Sequence, residues 1–95
     1  MIAQVLNTSA SVPFTDETRT FIAEIAAKAR QADGCEGIVV LIDPNTGDGL
    51  AINIFRDDAA AHEFDAHRRE LTKEAEEKVG ASVGEPQLYE VFVNL

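Results

Sequence analysis

The sequence is poor in several residue types, and each shortage excludes a class of protein. It contains one cysteine, so no disulfide can form within the chain, and Cys35 is expected to be a small buried thiol in a reducing compartment. No apolar run approaches the ~20 residues that span a bilayer, and the N-terminus lacks the basic start and apolar core of a signal peptide. We therefore predict a cytoplasmic location.

Basic residues are also scarce, at 8 against 17 acidic residues, which gives a formal net charge of -9. Nucleic acids and anionic membranes are bound by basic side chains, so the sequence predicts neither as a partner. Five of the basic residues nevertheless lie in or beside the second predicted helix: Arg56, Arg68, Arg69, Lys73 and Lys78. A local positive patch that attracts an acidic small molecule is therefore compatible with the sequence.

The length of 95 residues, with 45% hydrophobic residues, predicts one folded domain that spans residues 1–95. Strand-like segments cover residues 2–7, 38–42, 50–55 and 87–93, and turn formers follow the second of them at 43–49. Thr15 is placed to cap a first helix that Gly34 ends, and Asp57 or Asp58 begins a second helix that ends by Gly80. We interpret residues 38–55 as a β-hairpin.

This order of elements predicts an α+β, ferredoxin-like βαββαβ fold with a four-stranded antiparallel sheet and both helices on one face. Because side chains alternate across a strand, Val39 and Leu41 point away from Ile38, Val40 and Ile42. Both faces of the sheet are therefore apolar. A bare apolar face favours a homodimer in which a second copy covers it.

Four segments together resemble the dimeric α/β-barrel superfamily, and in particular the small proteins related to antibiotic biosynthesis monooxygenases. They are GIVVL at 37–41, DPNTG at 43–47, LAINIF followed by RDDAAA at 50–61, and LYEVF at 88–92. The resemblance implies a dimeric barrel with a pocket between the sheet and the helices of each subunit. Members include oxygenases that oxidise aromatic, polyketide-like substrates without metal or flavin, haem-degrading enzymes, and stress-associated proteins.

The resemblance implies a monooxygenase that acts on a small aromatic or polyketide-like molecule and uses no bound cofactor or metal. We assign His67, Asn7 and Tyr89 as its predicted catalytic residues. At about 100° per residue, His67 lies within roughly 60° of Phe64 on the second helix, and a histidine can accept a proton near neutral pH. Asn7 and Tyr89 are polar groups on otherwise apolar strands. Asn53 is a further polar strand residue of this kind.

Each candidate has a structural alternative: His67 as a half-buried residue bonded to a neighbour, and the strand residues as partners of backbone groups. Two alternatives for function also stay open. One is a non-catalytic ligand-binding or stress-associated dimer, which a pocket filled by Phe21, Phe64, Leu71 and Phe92 would favour. The other is haem binding or degradation. The haem-degrading branch of the superfamily uses a strand asparagine, a tryptophan and a helix histidine. Asn7 and His67 could fill two of these roles, but the sequence has no tryptophan.

Overall fold

The computed structural model describes residues 1–11 and 13–95, which form five strands and two helices. In chain order these are β1 (Ile2–Ser9), α1 (Asp16–Arg30), β2 (Cys35–Ile42), β3 (Asp48–Phe55), α2 (Asp58–Val79), β4 (Ser82–Val83) and β5 (Gln87–Glu90). All strand pairs are antiparallel. The predicted ferredoxin-like α+β fold is confirmed.

The sheet has the order β2-β3-β1, and the far edge of β1 is shared by two short strands. β4 pairs with Thr8 and Ser9, whereas β5 pairs with residues 2–5 of β1. The predicted four strands are therefore five. The predicted last strand, residues 87–93, was too long: Glu90 lies opposite Ile2, and one further backbone bond joins the Val91 amide to the Met1 carbonyl.

Both helices begin where their capping residues predict. The Thr15 hydroxyl accepts a hydrogen bond from the Thr18 amide, and an Asp57 carboxylate oxygen accepts one from the Ala60 amide. α2 ends at Gly80, whose φ of +64° is the left-handed conformation that glycine adopts readily. Among the described residues, no helix is both long enough and apolar enough to cross a membrane.

The core lies between the helices and one face of the sheet. Phe55 on β3 is fully buried, and its ring centroid lies 5.1 Å from that of Phe64 on α2. Leu71, Ala60, Ala61 and Ala29 bury their side chains around this pair. Cys35 is 6% exposed in the same cluster, so its predicted burial is confirmed.

The opposite face of the sheet, which we call the open face, is covered by neither helix. Its side chains follow from the strand registers: Ala3, Val5, Asn7, Gly37, Val39, Leu41, Leu50, Ile52, Ile54, Gln87 and Tyr89. None of these side chains is charged, but the register also places the carboxylate of Asp48, opposite Ser9 at the end of β3, on this face. Val39 and Leu41 are 46% and 48% exposed. The predicted apolar character of both faces is confirmed.

Candidate functional site

A cavity of about 120 Å³ lies between the helices and the covered face of the sheet. Most of its lining side chains are aliphatic or aromatic. The sheet contributes Leu6 and Ala51, α1 contributes Ile25 and Ala29, and α2 contributes Phe64 and Leu71. Of the four large side chains that could have filled the pocket, Phe21 and Phe92 do not line it. Phe64 and Leu71 form part of its wall and leave the cavity open.

Asn53 places an amide in the cavity wall on the sheet side. The residue is 7% exposed, and its Nδ2 donates a hydrogen bond of 3.1 Å to Oε1 of Gln4, which is 2% exposed. The two residues face each other because β1 and β3 pair Gln4 with Asn53. A carboxamide carries two N–H donors and one carbonyl acceptor, and this bond uses one donor of Asn53. The remaining groups of the amide can orient a polar substituent of a ligand.

Arg68 is the one ionisable side chain in the cavity wall among the residues that the structure describes. Its side chain is 11% exposed, and its Nε donates a hydrogen bond of 2.9 Å to Oδ1 of Asp65. The guanidinium has five N–H donors, so this bond leaves four of them on the two terminal nitrogens. Arg68 therefore brings a positive charge with hydrogen-bonding capacity to a mostly apolar space.

Asp65 fixes the position of that charge. Its hydrogen bond from Arg68 is the main reason that the pKa of Asp65 is lowered, and the charges of Arg68, Arg69 and His62 act in the same direction against partial burial. Its second oxygen, Oδ2, lies 2.9 Å from a terminal nitrogen of Arg69. The carboxylate therefore stays ionised, and Arg68 and Arg69 together leave this cluster with a net positive charge. The cluster is the part of the predicted basic patch that reaches the cavity.

A shallow groove borders the cavity along α1 and β2. Five residues line both spaces, namely Ile22 and Ala26 on α1 and Ile38, Val40 and Ile42 on β2. The groove itself is wider, at about 460 Å³, and is lined on its outer side by Phe14, Arg19 and Pro44. Ile22 and Ala26 therefore form part of the wall between the cavity and solvent.

His67 lies on α2, outside this wall. Its ring packs edge-on against Phe64 with centroids 5.6 Å apart, and its Nδ1 lies 3.8 Å from a carboxylate oxygen of Glu70. The side chain is 45% exposed. His67 therefore contacts the outer edge of a cavity residue, and its predicted catalytic role stays a prediction. His62 is exposed, as the sequence indicated.

Asn7 and Tyr89 lie on the open face and do not line the cavity. Asn7 pairs with Leu50, whereas Tyr89 pairs with Ala3 and donates a hydrogen bond of 2.8 Å to Gln87 Oε1. The expectation that they line a pocket between sheet and helices is wrong, because odd-numbered residues of β1 point away from the helices. The sheet also separates Asn7 from His67, so the two residues considered for haem are not brought together.

Sequence reasoning identified Asn53 as a polar strand residue but did not assign Arg68 to the site. A usable signal was present: Arg68 lies four residues after Phe64 and three before Leu71, and residues at these spacings share one helix face.

Groups of three or more possible metal ligands are absent from the described part of the chain.

No family model and no curated protein matches the chain. Solved structures do match. A Deinococcus radiodurans protein assigned provisionally as an antibiotic biosynthesis monooxygenase superposes with a TM-score of 0.75 at 22% identity, over 100% of this chain and 96% of its own. SnoaB, a cofactor-independent oxygenase from Streptomyces nogalater, gives 0.72 at 16% identity, over 99% and 95%. A provisionally assigned monooxygenase from Nitrosomonas europaea gives 0.66 at 14%, over 98% and 100%. These identities show the fold, and they confirm the predicted resemblance at that level.

Proposed function

We propose that this chain is a cofactor-independent monooxygenase that oxidises a small aromatic molecule in the cavity between the sheet and the helices. The observation that carries the proposal is that Asn53 and Arg68 place an amide and a guanidinium in a mostly apolar cavity wall, whose other residues with polar side chains are Thr8, Ser9 and Thr72. Binding sites for small molecules have this composition, in which apolar walls hold the ligand and a few polar groups orient it. The fold shared with SnoaB, a cofactor-independent oxygenase, supports the same activity.

The Asn53 amide and the Arg68 guanidinium suit the oxidation of a phenol. Molecular oxygen takes electrons from a phenolate more readily than from the neutral phenol, so the site has to favour loss of the hydroxyl proton to water. Arg68 would stabilise the phenolate oxygen by charge and hydrogen bonding, and an N–H of Asn53 would add a second donor. One oxygen atom then enters the ring and the other leaves as water. The phenol supplies all four electrons and becomes a quinone.

Oxygen uptake with a panel of phenols tests this activity. We expect Arg68→Leu and Asn53→Leu to lower the rate by about 10²-fold or more, as the loss of one preorganised donor does in other enzymes. Arg69→Leu is the matched control, because Arg69 also binds Asp65 but is 73% exposed and lies outside the cavity wall. Equal rates in Arg68→Leu and Arg69→Leu, or no uptake above buffer with any phenol, would contradict the proposal.

The predicted catalytic roles of His67, Asn7 and Tyr89 are tested in the same assay. His67→Ala, Asn7→Ala and Tyr89→Phe each remove the group that would act. A loss of rate comparable to that of Arg68→Leu would support the role of the residue concerned. An unchanged rate would remove it from the mechanism.

We propose that two copies associate through the open face. The middle of this face carries apolar side chains, and the carboxylate of Asp48 lies at the end of β3. An uncharged centre suits contact between two acidic chains, because charged faces of like sign would repel. A bare apolar face is also uncommon on a monomer. In such a dimer Asn7 and Tyr89 would lie between the two sheets.

The molar mass in solution, measured by light scattering, tests the dimer against the chain mass of 10.3 kDa. Leu41→Asp should produce monomers, because it buries an unpaired carboxylate between the sheets. Leu88→Asp is the matched control: Leu88 is also a strand leucine, 56% exposed, but its pairing with Gln4 places it on the other face. A wild-type mass of one chain, or equal masses for both variants, would refute the proposed interface.

A non-catalytic ligand-binding protein is the second candidate. The observation that favours it is the wall of the cavity itself, in which the described residues include no carboxylate, histidine or thiol. Such a site can hold an apolar molecule without supplying a general base. Saturable binding of a phenol with no oxygen uptake would select this candidate over the oxygenase.

The cytoplasm remains the predicted compartment. The free thiol of Cys35 is compatible with a reducing environment, because it is buried and has no disulfide partner in the chain. Fractionation of the producing cells measures the distribution directly, and recovery from an oxidising compartment would contradict the prediction.

A further inference from the structure

We infer that the cavity selects ligands with a single six-membered ring and excludes fused polycyclic compounds, an inference that rests on the proposed function of this cavity. It decides between the two substrate classes that the resemblance left open, small aromatic molecules and polyketide-like ones. The cavity volume and the rigidity of its walls both point to the smaller class.

The volume is the first argument. The cavity holds about 120 Å³. An apolar protein cavity of about 150 Å³ accepts a benzene ring, whereas pockets that enclose drug-sized ligands measure about 300–1,000 Å³. One ring with a small substituent is therefore close to the limit, and a second fused ring would require the walls to move.

The walls are held by contacts that resist such movement. Phe64 is 4% exposed and packs on Phe55, which is fully buried and forms part of the β3 strand. Leu71, the next large cavity residue of α2, is 6% exposed. Displacing either side chain would disturb a close-packed core, which costs more than a weakly bound ring can supply. The cavity is therefore not expected to widen on the side of α2.

The wall toward the groove is different, because Ile22 lies between the two spaces and is half-buried. Its side chain faces the shallow groove on one side and the cavity on the other. Removing the Ile22 side chain would join the groove and the cavity. The structure therefore identifies Ile22 as the residue that limits how many rings fit, while Asn53 and Arg68 hold the hydroxyl.

The test is an NMR titration of the full-length protein with phenol, 2-naphthol and 2-anthrol, which carry one hydroxyl on one, two and three rings. We expect phenol to bind at cavity residues with an affinity at least about tenfold higher than that of 2-naphthol, despite the greater apolarity of the larger ring. Ile22→Ala should reverse the order by admitting 2-naphthol. Phe21→Ala is the matched control, since Phe21 is the adjacent α1 residue and lies outside the cavity wall.

If 2-naphthol or 2-anthrol binds the wild-type cavity as tightly as phenol, or if Ile22→Ala leaves the order of affinities unchanged, the inference is overturned. Should Ile22→Ala fail to fold, Ile22→Val provides the same comparison with a smaller opening. Oxygen uptake is measured separately. Size-selective binding without uptake would sink the oxygenase proposal and support this inference, whereas uptake with polycyclic phenols would do the reverse.

Discussion

Replacing Ala26 by leucine should stabilise the protein and block the cavity at the same time. Ala26 lies on α1 in the wall that the cavity shares with the groove, so a longer side chain at this position can enter empty space. Leucine adds three carbon atoms, and the cavity of about 120 Å³ has room for them. Alanine and leucine are both strong helix formers, so the helix itself is affected little.

The magnitude follows from the apolar surface that the new side chain buries. At about 0.8 kcal/mol for each buried methylene, less about 0.5–1 kcal/mol of lost rotamer freedom, the free energy of unfolding should rise by about 1–2 kcal/mol. For a domain of this size, each kcal/mol raises the melting temperature by about 4–8 °C. The free energy is measured by urea unfolding, and phenol binding by NMR titration, in which Ala26→Leu should show no saturable shift.

The sign of the change decides whether the cavity is present in solution. Ala27→Leu is the matched control, because Ala27 lies on the exposed side of the same helix and should change stability by less than about 0.5 kcal/mol. If the space were already filled, the leucine would overpack the core and lower the free energy of unfolding by about 1–3 kcal/mol. A destabilised Ala26→Leu beside an unchanged control would therefore refute the cavity and every proposal built on it.

Three further predictions concern parts of the fold outside the cavity. Asp57→Ala removes the side-chain acceptor of the Ala60 amide and should lower the free energy of unfolding, measured by urea titration, by about 1 kcal/mol. Asp58→Ala is the control and should lower it by less than half of that. Because the pKa of Asp65 is lowered in the folded state, its ionised form stabilises the fold above the unfolded pKa near 4, and this stability is lost as the pH falls through the folded pKa. The difference in free energy of unfolding between wild type and Asp65→Asn should therefore shrink below about pH 4. A constant difference would contradict this. Cys35 is 6% exposed and should react with a thiol reagent at the rate of unfolding; immediate reaction in native buffer would show that it is accessible.

The order of the elements could be predicted because local signals agreed with the final fold. Thr15 and Asp57 have the side chains that cap helices, and both cap helices in the structure. The hairpin followed from a turn-rich segment between two apolar runs. The two-residue strand β4 could not be predicted, because its pairing with Thr8 and Ser9 depends on where α2 delivers the chain and not on its own sequence. The end of β5 was missed as well, since strand ends depend on pairing with β1 and not on the apolar residues of 91–93.

The site was harder to predict, because the face of a strand on which a residue lies depends on the register of the whole sheet. Asn7 and Asn53 look alike in sequence, each an asparagine in an apolar strand. The register places Asn7 opposite Leu50 on the open face and Asn53 opposite Gln4 under the helices. His67 was assigned for its chemistry and Arg68 was not assigned to the site, although Arg68 has the more buried side chain.

The two faces of the sheet differ in a way that hydrophobic burial alone would not produce. The covered face, which should be the more apolar, contains the buried amides Gln4 and Asn53, and Arg68 approaches it from α2. The open face has Val39 and Leu41 at its surface, and its carboxylate, Asp48, lies at the end of β3. Burying polar groups lowers stability unless they form hydrogen bonds, and leaving apolar groups exposed gives up the stability that their burial would provide. Both departures are explained if the covered face contains a binding site and the open face contacts a second copy. The two roles are then independent, so the Leu41→Asp monomer should still bind phenol.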